Sequence, residues 1–545
     1  MRKKILALLL STTMVLSLAA CGSSSGGSET VTTSDKPSTS AAAAVTDDSS
    51  DVKYKDTITV AVATEAPMLD PTLTTSVAAR NEWINIYEGL VAFDENFEPA
   101  CQLASKVEHS DDNTVWTFDL REGVKFHNGD TMTADDVVAS LNRWAVTSGS
   151  VKNVVIPEGT EFVKVDDSTV QITLPEPCAM FLYYMCNLSQ YPAITTEECV
   201  AAADESGGYQ EYIGTGPMKF VEWVENSYVH LTKFDEYVGP GYARSGYAGD
   251  AVVNFKDAYF YFITDSATRV NAALTNEYDI VEDINYDSLN QFEGNTDVTF
   301  TSGMTMYNFL IFNKNIEYDS IGRNADFRRA VQYALDMDEI ATAQCSAEDY
   351  RTVQSDWMMP IQTPWLNGSG DSYYNTKDIE KAKEYLEASG YNGEEVTFLY
   401  ATNSDAFVNG ALVIANRLQT ELGLNIKLDA VDWATFLQRI NQCDTYDFFI
   451  TNFGMVPIPN ALACLSPSRT GFTNIDEVTE YLTAMKTAES VEEAQKIWSD
   501  CQGYLSENAV NIPLSAADTV VTVTTKAEGY APFNGISIWD VKIRE

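Results

Sequence analysis

The side chains that usually carry catalysis are scarce here. The 545 residues hold three histidines, His109, His127 and His230. No His-Glu-x-x-His sets two imidazoles on one helix face for zinc. No Gly-x-Ser-x-Gly turn presents a nucleophile, and no Gly-Lys-Ser/Thr loop cradles a phosphate. Asp and Glu number 79, so any pair picked for general acid–base work would be arbitrary. No enzyme, cofactor or metal site is therefore expected. His127, in the turn His127-Asn128-Gly129-Asp130, reads as structural. Of nine cysteines none forms Cys-x-x-Cys. Cys178 and Cys186 bracket an apolar run; they could pair in an oxidising compartment or remain buried thiols packed like small hydrophobes.

Lys and Arg number 35 and the net charge is −44. That excludes nucleic acid, whose phosphates need a basic face, and disfavours a polybasic membrane patch. The acidity reads first as a solvated, self-repelling surface. At the start, Arg2, Lys3 and Lys4 precede the apolar run Ile5 to Leu18, too short to span a bilayer comfortably. Leu18-Ala19-Ala20-Cys21-Gly22 resembles a bacterial lipobox. This implies a signal peptide over 1–20 and a lipidated Cys21 as first mature residue. Residues 21–54, rich in Ser, Thr, Gly and Ala, lack the apolar surface to fold and read as a flexible tether.

The elements that would position a site are clearest from Trp116 to Trp144. Trp116, Phe118 and Leu120 alternate with polar partners as a half-buried strand. Val124-Lys125-Phe126 is a second short extended piece, followed by an Asn-Gly turn. Thr133 caps a helix whose first turn carries Asp135 and Asp136 and whose apolar side is Val137, Val138 and Leu141. The stretch "TFDLREGVKFHNGDTMTADDVVASLNR" resembles the signature of the large extracellular solute-binding proteins of peptide-type ABC importers (family 5, oligopeptide- and dipeptide-binding-protein-like).

Other stretches resemble the same family in order: Thr57–Ala63 as first strand with Leu69-Asp70-Pro71 after it; a helix over Asn81–Leu90 ending Tyr87-Glu88-Gly89-Leu90; Pro99–Ala104; and Gly214-Thr215-Gly216-Pro217. Asp166–Leu174 alternates as one strand. Cys178–Leu188, rich in Met, Phe and Tyr, is either a core helix or a cleft-facing one. Further matches are a helix over Arg269–Asp279, an apolar crossing strand Met306–Asn313, one helix over Ala325–Ala341, and a helix capped by Asn375 or Thr376 and ended by Gly390. Strand and helix then alternate through Glu395–Tyr400, Phe407–Leu422, Asn425–Val431, Trp433–Asn441 and Asp447–Thr451, as in an α/β lobe with parallel crossovers. A helix over Val491–Leu505 and a return strand at Val510–Leu514 complete the set.

The resemblance implies an α/β fold: two-lobed, periplasmic-binding-protein-like (type II, cluster C-like), with mixed sheets and three domains by chain tracing. The main domain of lobe 1 would comprise 55–77, 213–303 and 513–545, its accessory domain 78–212, and lobe 2 304–512. Two lobes would close over a peptide or other small solute. The partners implied are ABC permease and ATPase subunits, and the membrane through the lipid on Cys21, with the chain a monomer outside the cytoplasm. Carried over residue by residue, the site comprises Glu65 and Ala66 on one side and Trp433, Asn452, Phe453, Gly454, Met455 and Val456 on the other. Trp357, near Pro360 and Pro364, joins them as an aromatic expected to be exposed, as is Trp365. Peptide-binding relatives carry an Asp after the equivalent Gly for the ligand ammonium. Here Pro457, Ile458 and Pro459 follow, and no acid occurs between Asp447 and Asp476. Either Glu65 supplies the charge, or the solute is an oligosaccharide or another non-peptide. A surface lipoprotein with a signalling or adhesive role is a further alternative.

Overall fold

The computed structural model describes residues 52–152, 154–203, 207–468 and 471–545. The expected signal peptide, Cys21 and nearly all of the expected tether lie outside the described residues. The signature stretch folds as its residues dictate. Val115–Leu120 is a strand that buries Trp116, Phe118 and Leu120. Ala134–Thr147 is a helix with a full capping box, the Thr133 hydroxyl accepting from the Asp136 amide and the Asp136 carboxylate accepting from the Thr133 amide. Such a cap contributes about 1 kcal/mol. Val137, Leu141 and Trp144 are fully buried beneath it, each side chain adding roughly 2 kcal/mol by leaving water.

An eleven-stranded mixed sheet organises the chain. Its path runs Asn425–Val431, Glu395–Ala401, Phe448–Phe453, Val298–Phe312, Ile512–Thr524, Ile280–Val281, Thr57–Val62, Asp257–Phe262, Tyr228–Lys233 and Met218–Val224. Arg351–Thr352 pairs with the long strand Ile512–Thr524 off this path. Glu395–Ala401 is parallel to both Asn425–Val431 and Phe448–Phe453, as helical crossovers between them require. At the other end, Thr57–Val62 is parallel to Asp257–Phe262.

The two long strands, Val298–Phe312 and Ile512–Thr524, are antiparallel and tie the ends together. Their ladder shifts register between Ser302 and Thr305, a bulge that bends a strand pair locally. On one side of it Thr522 and Val523 pair with Val281 and Ile280. On the other, Tyr307–Phe312 pairs with Phe453–Phe448. A separate four-stranded antiparallel sheet, which includes Val115–Leu120, lies within residues 104–173. The chain is thus two-lobed and α/β.

Several local expectations are corrected. The helix placed at Asn81–Leu90 is Val77–Trp83, capped by Ser76; Glu88 is instead drawn into a buried polar cluster. Asp166–Leu174 is not one strand. The Asp166 carboxylate accepts from the Ser168 amide at 2.9 Å and turns the chain into a hairpin of Phe162–Asp166 and Thr169–Thr173. Ala325–Ala341 divides into Ala325–Ala334 and Met337–Gln344, because Asp336 turns its carboxylate onto the Asp338 and Glu339 amides and caps a new helix. The helix Ile379–Ser389 is capped by Asp378. Asn375, left-handed at φ 51°, receives the Met337 amide instead. The helix expected at Arg269–Asp279 is Ser266–Leu274, capped by Asp265.

The eight described cysteines are all unpaired, and every one but Cys101 is buried. No described helix is long and apolar enough to cross a membrane.

Candidate functional site

Four of the family-like stretches converge away from any large opening. The Glu88 carboxylate accepts from Gln102 at 2.6 Å, Thr215 at 2.8 Å and Tyr237 at 3.2 Å. Burial pushes its pKa up despite these donors. Nearby, the Nδ1 of His127 accepts from the Gly214 amide at 3.3 Å and its Nε2–H donates to the Gly216 carbonyl at 2.9 Å. Only the neutral imidazole satisfies both, and burial lowers its pKa to about 4. A Cβ on Gly214 would lie 2.0 Å from the Ile86 carbonyl oxygen, so nothing larger than glycine fits. These residues tie the segments around Glu88, Gln102 and His127 to the segment 214–237.

A cavity of about 570 Å³ lies elsewhere. One wall is built from Thr75–Val77 and Arg80, Gly149–Ser150, and Tyr184 with Asn187–Gln190. The other is Phe453–Pro457, Asn460–Ala463 and Ser466, with Met306 of the long strand between. Cys178–Leu188 resolves into both of its readings: Phe181, Tyr183, Met185 and Cys186 are core, while Tyr184 and Leu188 line the cavity. Asn460 donates to the Leu482 carbonyl at 2.7 Å, and its Oδ1 has no partner.

The strand Phe448–Phe453 delivers the second wall. Ile450–Phe453 pairs with Leu310–Tyr307 along one edge. Along the other, Glu395–Ala401 reaches only Phe448 and Phe449. Beyond Phe449 that edge has no strand partner among the described residues, and the chain enters the cavity wall at Phe453.

Of the residues named from sequence, Phe453, Gly454, Met455 and Val456 line this cavity and Asn452 immediately precedes them. Glu65 and Ala66 do not meet them there. They line a separate, shallow groove with Tyr212, Phe220, Trp223 and Glu225. Glu65 is engaged in it, accepting from the Trp223 indole at 2.8 Å and the Asn226 amide at 3.1 Å. Trp433 is half-exposed and stacks on Phe436 at 5.4 Å, outside the cavity lining.

Trp357 and Trp365 contradict the expected exposure: each is 1% exposed. Trp357 packs on Phe309 at 5.5 Å, and Trp365 meets Tyr183 edge-on at 5.8 Å. The loop that holds them is folded under the helix Val491–Glu507, whose Trp498 donates to the Trp365 carbonyl at 3.1 Å.

Sequence reasoning missed the Thr75–Arg80 wall. Its only signal was a lone basic residue in an acidic neighbourhood. Nor did it find Glu82, fully buried, with neither carboxylate oxygen partnered. Burial, then the charges of Glu282 and Glu65, raise its pKa well above the usual carboxylate range and favour the protonated form.

Two α/β lobes tied by two long strands, with a cavity lined by residues from 75–190 and from 453–466, have the architecture of a two-lobed binding protein. The family model of the bacterial extracellular solute-binding proteins, family 5 (middle region), matches residues 98–473. The chain belongs to that family, whose members are solute-binding proteins. It is 25% identical, over 89% of its length and 93% of the relative's, to the probable peptide ABC transporter periplasmic-binding protein y4tO of Sinorhizobium fredii. Its fold matches the binding protein AgaA of A. tumefaciens R10, solved with agropinic acid, at TM-score 0.71 and 22% identity over 90% of this chain and 99% of that one. DppA of Helicobacter pylori, solved with the peptide STSA, matches at TM-score 0.71 and 20% identity over 90% and 99%.

Proposed function

We propose that the protein captures a peptide or peptide-like solute between its closing lobes and delivers it to an ABC importer. Cys21, lipidated, would hold it to the outer face of the cell membrane. The observation that carries this reading is the free edge Ile450–Phe453 running into the wall of the cavity. An extended peptide backbone can add to such an edge, while the open cavity receives its side chains. The domain partition proposed is 55–77, 213–303 and 513–545 around the first strand, 78–212 as accessory domain, and 304–512 as lobe 2. The bulge between Ser302 and Thr305 then serves as the bend between lobes. Closure excludes water and strengthens every polar contact inside. Transport energy comes from the importer's ATPase. The relatives named for peptides support the solute class.

A second reading keeps the capture and changes the solute to an oligosaccharide or other non-peptide. It is favoured by one observation: among the described residues, no Asp or Glu lines the cavity. Burying a ligand ammonium without a counter-charge costs several kcal/mol. Thermal shift of the purified protein separates the two. A solute present at 100 times its Kd stabilises by about 2.7 kcal/mol. Free and N-acetylated short peptides that stabilise equally are the result expected for backbone recognition. Stabilisation by oligosaccharides alone would sink the peptide assignment. Stabilisation by no solute would favour a signalling or adhesive role.

A further inference from the structure

The cavity carries the opposite charge from its chain. Asp and Glu outnumber Lys and Arg by 79 to 35, yet among the described residues the lining has one cation and no carboxylate. The cation is Arg80, on the helix Val77–Trp83 and 6% exposed. Its Nη2 donates to the Asn534 carbonyl, which also accepts from the Tyr247 hydroxyl at 3.3 Å. The guanidinium has no other hydrogen bond and no ion pair with a described residue. Glu282 is held by Asn81 at 3.2 Å and by the Ala63 amide at 3.3 Å. The Asn534 side chain in turn reaches the Met455 sulfur at 3.3 Å. Arg80 therefore lies where the two cavity walls come together.

We infer that Arg80 anchors a carboxylate of the captured solute, and that no ammonium is required in this cavity. The inference rests on the capture proposed above. A guanidinium presents five N–H donors in a planar fork that matches a carboxylate; here one nitrogen is engaged, by a carbonyl. Closing the walls over an unpaired guanidinium strips its water and returns nothing. Closing them over a carboxylate replaces that water with charge-assisted hydrogen bonds. The solute's negative group thereby shifts the open–closed equilibrium, because it binds the closed form better.

The test uses the purified protein and probes of known composition: succinate against chloride, and N-acetylated tripeptide mixtures with free or amidated C-termini. Binding is read by calorimetry and thermal shift. In the wild-type protein the free acids should bind at least tenfold tighter than the amides, and succinate should raise Tm. R80Q should erase both differences. R80K, which keeps the charge without the fork, should recover part of them. Should R80Q not fold, R80K carries the test, weakening the acids at least threefold and leaving the amides unchanged. Amides that bind as tightly as acids, or an acid preference that survives in R80Q, would overturn the anchor and leave capture standing. Arg80-dependent succinate binding with no peptide binding would overturn the peptide reading and leave the anchor. Succinate and peptides that all fail to distinguish wild type from R80Q would overturn the anchor.

Discussion

The junction around Glu88 and His127 and the cavity around Arg80 and Gly454 are built on opposite terms. In the junction every residue type is dictated. A buried carboxylate takes three donors, an imidazole uses both nitrogens, and Gly214 has no room for a methyl group. In the cavity, small and aliphatic side chains, the aromatics Tyr184 and Phe453, a few amides and, among the described residues, one guanidinium form the walls, and Gly454 has open space around it. The difference teaches that the stretches most diagnostic of the family mark where the lobe is locked. The cavity proposed to select the solute is where the sequence carries no motif.

That contrast can be broken most sharply at Gly214. Gly214→Ala forces a Cβ against the Ile86 backbone. It should cost at least about 4 kcal/mol or prevent folding, as backbone clashes in packed sites do. A loss under about 1 kcal/mol in chemical denaturation would show the junction to be adaptable.

A smaller effect is expected from pH. The folded protein resists protonation of His127 down to about pH 4, whereas an unfolded histidine titrates near 6.5. The unfolded state therefore binds more protons across that interval, and stability falls as the pH drops. The contribution is fully present above pH 6.5 and is lost progressively until about pH 4. Its slope approaches 1.4 kcal/mol per pH unit, roughly 3 kcal/mol in all. His127→Gln should remove this component, read as the wild-type-minus-variant difference in unfolding free energy. A difference that does not change with pH would refute the neutral imidazole.

The smallest change in stability belongs to the cavity. A Cβ on Gly454 would meet nothing within 4 Å, so Gly454→Leu should alter stability by no more than about 0.5 kcal/mol. The same substitution fills solute space and should weaken capture at least tenfold. Unimpaired binding would move the site elsewhere, the groove of Glu65 and Trp223 being the next place to test.

The sequence by itself determined the element types, their order and the family. Period-two and helical apolar patterns, caps such as Thr133, and the terminator Gly390 act over a few residues, and local physics is readable locally. It also singled out Phe453–Val456, which line the cavity. Tertiary structure alone decided the rest. Which carboxylates lose their water and which aromatics are covered depends on segments far apart in the chain. Trp357 and Trp365 looked exposed beside their prolines until the helix Val491–Glu507 closed over them. The hydrogen bond that Glu65 accepts from Trp223, 158 residues away in the chain, could not be read from either stretch alone. Arg80 carried no motif at all, because its meaning lies in having no carboxylate beside it, and only the folded chain fixes which neighbours a side chain has.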